Sequence, residues 1–116
     1  MGGCKALVCT CIDFRFQEAT HSWLKAKNLL DSHDRLASAG SVKDLNLLLS
    51  QLELSKNLHG ITEVYLLGHE ECGAFNKDDD VAKESLKRAT RLVREKFSDL
   101  KVQSYFVTLE KEYQLL

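Results

Sequence analysis

The chain has no proline, one tryptophan and one methionine in 116 residues, and neither sign of charge is in excess: 16 lysines and arginines stand against 17 aspartates and glutamates, a net charge of −1. With no proline and no Gly/Ser-rich stretch there is no linker signal, and no internal repeat divides the sequence. This length and apolar content support one core and one domain, residues 1–116. The charges are interspersed, which excludes an electrostatic footprint for nucleic acid or a polybasic membrane patch, so a small neutral or anionic ligand is the better fit. No stretch is apolar for long enough to span a bilayer. The start, Met1-Gly2-Gly3-Cys4-Lys5-Ala6, lacks a secretory apolar region and the Ser or Thr of a myristoylation signal at position six; the expectation is a cytoplasmic protein.

What the chain does have is four cysteines. In a reducing compartment these are expected as metal ligands or buried thiols rather than as disulfides. Cys9 lies two residues before Cys11, on the same face of a strand, and reads as a small core residue, with a Cys9–Cys11 redox pair as the sharper alternative. Cys4 falls in a segment expected to fray.

Lys5 to Cys11 is short and nearly all apolar, as in a strand buried on both faces. Gln17 to about Leu30 is compatible with a helix packed through Trp23, and Arg35 to Ala39 is a weak second strand. Gly40-Ser41-Val42-Lys43-Asp44 reads as a helix start, with Ser41 as the cap, followed by a stripe of Val42, Leu45, Leu48, Leu49, Leu52 and Leu58 that Gly60 terminates. Ile61 to Leu67 reads as a central strand. The acidic turn from Asn76 to Asp80 opens a last helix, with Val81, Leu86, Ala89, Leu92, Val93 and Phe97 on its buried face, and Val102 to Leu109 closes the chain as a fourth strand.

Strands alternating with helices imply an α/β fold, a three-layer sandwich around a mainly parallel four-stranded sheet with right-handed crossovers. In the order 2-1-3-4 the winding reverses between strands 1 and 3, and a crevice opens at their carboxyl ends.

Those ends carry Cys11-Ile12-Asp13-Phe14-Arg15 and Gly68-His69-Glu70-Glu71-Cys72-Gly73. Zinc accepts thiolate, imidazole and carboxylate in a tetrahedron, so Cys11, His69, Cys72 and either Asp13 or a water would complete one shell; cobalt or iron could use the same atoms. The alternative is two buried cysteines, a hydrogen-bonded loop histidine and a surface ion pair between Asp13 and Arg15.

Cys11-x-Asp13-x-Arg15, the Ala39-Gly40 turn and His69-x-x-Cys72-Gly73 together resemble the β-class carbonic anhydrases, over about Lys5 to Gly73. The resemblance implies zinc on Cys11, His69 and Cys72, and hydration of carbon dioxide to bicarbonate by zinc-bound hydroxide. It implies a gate as well. When Arg15 holds Asp13, the carboxylate can orient the attacking group; when the pair breaks, Asp13 can take the fourth position and exclude water.

The chain departs from that family in having Ile12 and Phe14 where small residues are usual, which should narrow or reshape the approach to the metal. An apolar entrance would suit carbonyl sulfide or carbon disulfide, and a closed shell would suit a non-catalytic zinc module. Glu70 and Glu71 read as solvated loop carboxylates. A small sheet with few helices leaves apolar surface, so a homodimer or higher homo-oligomer is expected, with Phe14, Phe16, Tyr105, Phe106 and Tyr113 as candidates for the interface.

Overall fold

The computed structural model describes residues 3–116. Strands β1 (Ala6–Thr10), β2 (His33–Ala37), β3 (Glu63–His69), β4 (Lys101–Val107) and β5 (Tyr113–Leu115) form one sheet in the order β2-β1-β3-β4-β5. The first four are parallel and β5 is antiparallel to β4. Helices α1 (Gln17–Ala26), α2 (Leu45–His59) and α3 (Asp79–Lys96) provide the crossovers.

Alternation along β1 sorts the core into two layers. Leu7 and Cys9 face Leu48 and Leu52 of α2 and Leu86, Ala89 and Val93 of α3. Ala6 and Val8 face Trp23 and Leu24 of α1 together with Leu29. A strand buried on both sides favours apolar residues: all five residues of β1 are buried, and the one polar residue, Thr10, accepts a hydrogen bond from Arg35 Nε at 3.1 Å. Cys9 is fully buried and all four cysteines are free thiols, so Cys9 is a core residue and not half of a disulfide. No helix among the described residues is long and apolar enough to cross a membrane.

Several boundaries differ from the sequence expectation, each for a local reason. The expected four strands become five because Tyr113–Leu115 folds back on β4 through a turn in which Lys111 N–H donates to the Thr108 carbonyl at 2.8 Å. This short edge strand covers the exposed rim of β4. Helix α1 ends at Ala26, four residues early, because Asn28 turns left-handed (φ 58°) and Leu29 N–H donates to the Leu24 carbonyl, swinging Leu29 into the core. The cap of α2 is Asp44, whose carboxylate accepts from Leu47 N–H at 3.1 Å. Ser41 instead sits in the preceding turn at φ 61° and is buried. Gly60 does terminate α2 in the left-handed region, at φ 62°. Leu58 and Val81 fall off their expected stripes and are exposed.

Strand β3 is shifted two residues downstream of Ile61–Leu67 and ends at His69. Within it, Gly68 lies under α3, and a Cβ there would come within 2.7 Å of Leu86 Cδ1. Gly68→Ala should therefore cost about 1–3 kcal/mol by overpacking, seen as a lower urea midpoint with an unchanged slope.

Candidate metal centre

Because β1 and β3 are parallel neighbours, their carboxyl ends lie side by side. Cys11 follows β1 directly, His69 is the last residue of β3, and Cys72 opens the 3-10 turn Gly73–Phe75. The Cys11 and Cys72 sulfurs are 4.0 Å apart. Ligand atoms of Cys11, His69 and Cys72 all lie within 4.8 Å of one another. Two sulfurs on one tetrahedral zinc would be about 3.8 Å apart, given zinc–sulfur bonds of about 2.3 Å.

His69 supplies the strongest test of fit. Its Nδ1 lies 2.8 Å from the Glu70 carbonyl, which can only accept, so Nδ1 carries the proton and Nε2 presents a lone pair. That Nε2 is buried and has no hydrogen-bond partner. A buried, unpaired ring nitrogen beside two thiols fits a metal, with the carbonyl fixing the tautomer. The Phe16 ring packs 4.3 Å from the imidazole, centroid to centroid, and Lys111 Nζ lies over the Phe16 ring, 4.4 Å from its centroid.

The ionisation of the three groups is linked. Burial opposes a Cys11 thiolate, but the His69 ring and the Gly40 and Asp13 backbone outweigh it and bring the thiol down to about 7. Burial and the Cys11 charge push Cys72 up. Burial works against a charged His69, yet contact with Cys11 and the Glu70 carbonyl raises its pKa on balance. The trio therefore holds one thiolate readily, and a divalent cation would draw out the second.

Asp13 stands beside this trio and is occupied. Its Oδ1 accepts from Arg15 N–H at 2.8 Å and Nε at 3.1 Å, and its Oδ2 from Arg15 Nη2 at 2.9 Å. Oδ2 is 3.9 Å from His69 Nε2. Arg15 also donates from Nη1 to Glu71 Oε1 and from Nη2 to the Glu71 carbonyl, both at 3.2 Å. The Arg15 hydrogen bonds hold the Asp13 carboxyl down to about 2, against an ordinary 3.8. A depressed carboxylate adds stability above its unfolded pKa and loses it as pH falls through the folded value. The stability advantage of the wild type over Asp13→Asn should thus be full at pH 5 and gone near pH 2, in urea titrations of the metal-free protein.

Glu70 and Glu71 do more than the solvated role expected of them. Glu71 is left-handed at φ 59°, which turns its N–H to Asp79 Oδ1 at 3.0 Å while its side chain and carbonyl hold Arg15. Glu70 N–H donates to the Val107 carbonyl, and its Oε1 accepts from Leu109 N–H. Position between two candidate ligands was the one signal available in sequence; the positive φ was not visible there. Phe16 and Phe106, expected as interface candidates, are 6% and 2% exposed: one packs on His69 and the other in the core. Tyr105 and Tyr113 pack around Trp23. Only Phe14, 84% exposed, stands free as expected.

Ile12 is 60% exposed too, because Cys11, Asp13 and Arg15 turn inward and the intervening residues must point out. Both apolar side chains thus lie on the surface next to the candidate ligands. A void of only about 10 Å³ lies behind Cys11 and His69. A groove of about 470 Å³ runs beside Arg15, bounded by Ala19, Trp23, Lys111 and Tyr113.

The family described as "Putative carbonic anhydrase" matches residues 1–116. The chain belongs to this family. An uncharacterized protein of Rickettsia bellii is 26% identical over 125 aligned residues, covering 90% of this chain and 76% of its own length. A second uncharacterized protein, from Rickettsia conorii, is also 26% identical, over 90% of this chain and 67% of its own. The carbonic anhydrase of Streptococcus mutans superposes with a TM-score of 0.74 at 18% identity, over 98% of this chain and 82% of that one. A tetrameric β-carbonic anhydrase of Sordaria macrospora gives 0.70 at 12% identity, over 100% and 82%. At such identities these structures establish the shared fold.

Proposed function

We propose that the protein is a zinc-dependent carbonic anhydrase that hydrates carbon dioxide reversibly to bicarbonate, with Cys11, His69 and Cys72 as the metal ligands. The observation that carries this reading is that three ligand atoms converge while Arg15 holds both oxygens of Asp13, so that a zinc on those three would keep its fourth position for water. Zinc held there would supply Lewis acidity, lowering the pKa of water toward neutrality. Two thiolates cancel much of that charge, so activity should rise toward alkaline pH.

The chain's own residues then position and hold. Asp13, fixed by Arg15, accepts a hydrogen bond from the attacking water and turns its lone pair toward the substrate carbon. Glu71 gives Arg15 a second carboxylate, so the guanidinium stays at the site when substrate enters. Phe16 keeps bulk water off the imidazole, and the Glu70 carbonyl retains the Nδ1 proton.

Four free thiols suit a cytoplasmic setting. Exposed Ile12 and Phe14, with the groove beside Arg15, would be covered in a homodimer or larger homo-oligomer. The test is stopped-flow hydration on metal-quantified protein, with carbonyl sulfide hydrolysis followed in parallel. Catalysed carbon dioxide hydration that rises at alkaline pH is expected. Zinc-loaded protein inactive toward carbon dioxide across that range would reject the reading, and turnover of carbonyl sulfide alone would replace it with the hydrolase.

A further inference from the structure

Cys4, Asp34 and His59 meet at the other end of the sheet. Cys4 lies two residues before β1, Asp34 is the second residue of β2, and His59 is the last residue of α2. Cys4 is not frayed as expected, for its N–H donates to the His59 carbonyl at 3.2 Å and its side chain packs partly against the core. A thiol sulfur, a carboxylate oxygen and an imidazole nitrogen from these three residues lie within 4.8 Å of one another. We propose that Cys4, Asp34 and His59 form a second divalent-metal site, of the zinc type, separate from the one at Cys11.

The donor set is sulfur, oxygen and nitrogen, which zinc accepts together and which calcium or magnesium would not select. A thiolate and a carboxylate bring two negative charges, matching a divalent cation. The carboxylate is already oriented: buried Ser55 donates its hydroxyl to Asp34 Oδ2 at 2.6 Å, the kind of outer hydrogen bond that fixes metal ligands. The His59 and Asp34 side chains are 40% and 29% exposed, so an ion can enter and a water can fill a fourth position. Cys4 and Cys11 flank the five-residue β1 at its opposite ends, about 20 Å apart at about 3.3 Å per residue, so neither site shares a ligand with the other.

In the metal-free state His59 Nδ1 lies 2.7 and 2.9 Å from the two Asp34 oxygens, a hydrogen bond with the proton on Nδ1. Nitrogen and oxygen bound to one zinc at about 2.0–2.1 Å would be about 3.3 Å apart, so the ring must retreat by about half an ångström. His59 ends its helix and its side chain is partly exposed. On binding, the Nδ1 proton of His59 must leave that nitrogen, Asp34 stays ionised, and Cys4 releases its thiol proton to solvent. The ion would pin the segment before β1 to the edge strand and to the end of α2.

The test uses tag-free full-length protein and counts metal by equilibrium dialysis with zinc, then with cobalt as a spectroscopic probe. Wild type should bind two equivalents and Cys4→Ser one. Cys11→Ser/Cys72→Ser should also keep one, with a near-ultraviolet thiolate-to-cobalt band that Cys4→Ser removes when added. Should the double variant fail to fold, the comparison of two equivalents with one between wild type and Cys4→Ser still decides. One equivalent in both wild type and Cys4→Ser, or a cobalt–thiolate band in the double variant that survives Cys4→Ser, would overturn the proposal. These readouts are independent of turnover, so an inactive protein would leave the result intact.

Discussion

Arg15→Ala is expected to lower carbon dioxide hydration by about 10- to 100-fold while the zinc at Cys11, His69 and Cys72 remains bound. Arg15 makes three hydrogen bonds to Asp13, one from its backbone and two from the guanidinium. Removing the guanidinium leaves Asp13 Oδ2, 3.9 Å from His69 Nε2, without its donor, while the residue-15 backbone N–H still holds only Oδ1. Its charge and the short distance then favour its entry into the fourth position, where it competes with water. Metal analysis beside stopped-flow rates separates this from loss of the site, and wild-type turnover in the variant would rule out the gate. Glu71→Gln should have a smaller effect of the same sign, since it removes the charge of the outer carboxylate alone.

Cys72→Ser should have the larger effect, taking hydration to the uncatalysed background and removing the metal from this site. A serine hydroxyl does not ionise near neutrality, so it cannot replace a thiolate, and the remaining ligands, Cys11 and His69, are too few to hold zinc firmly. Cys72 is 4% exposed at the start of a turn rather than inside a helix or strand, so the isosteric change should leave the fold standing. Circular dichroism checks the fold. Retained stoichiometric zinc at the site together with retained turnover would show that the ligand set is wrong.

The main lines of the fold were legible because they rest on patterns that burial enforces. The nearly all-apolar run of β1, the leucine-striped α2 and the glycine at its end marked the elements, and the expected order 2-1-3-4 holds for the four parallel strands. Strand β5 was not legible: Tyr-Gln-Leu has no period long enough to recognise, and it exists only because β4 has an edge to cover. At the site, Cys11, His69 and Cys72 were legible from residue type and from their place at strand ends. The role of Glu71 was not, because it depends on a left-handed backbone that glutamate rarely adopts. Cys4 was misread for a related reason. Its partners Asp34 and His59 are distant in sequence, and only the parallel pairing of β1 with β2 and the return of α2 bring them to it.

The most direct measurement is a crystal structure of the zinc-loaded protein, with the metal located by its anomalous scattering. The account predicts a zinc within about 2.3 Å of the Cys11 and Cys72 sulfurs and about 2.0–2.1 Å of His69 Nε2, a water in the fourth position, and Asp13 still paired with Arg15. An Asp13 oxygen on the metal with the Arg15 pair broken, or no zinc bound by Cys11, His69 and Cys72, would contradict it.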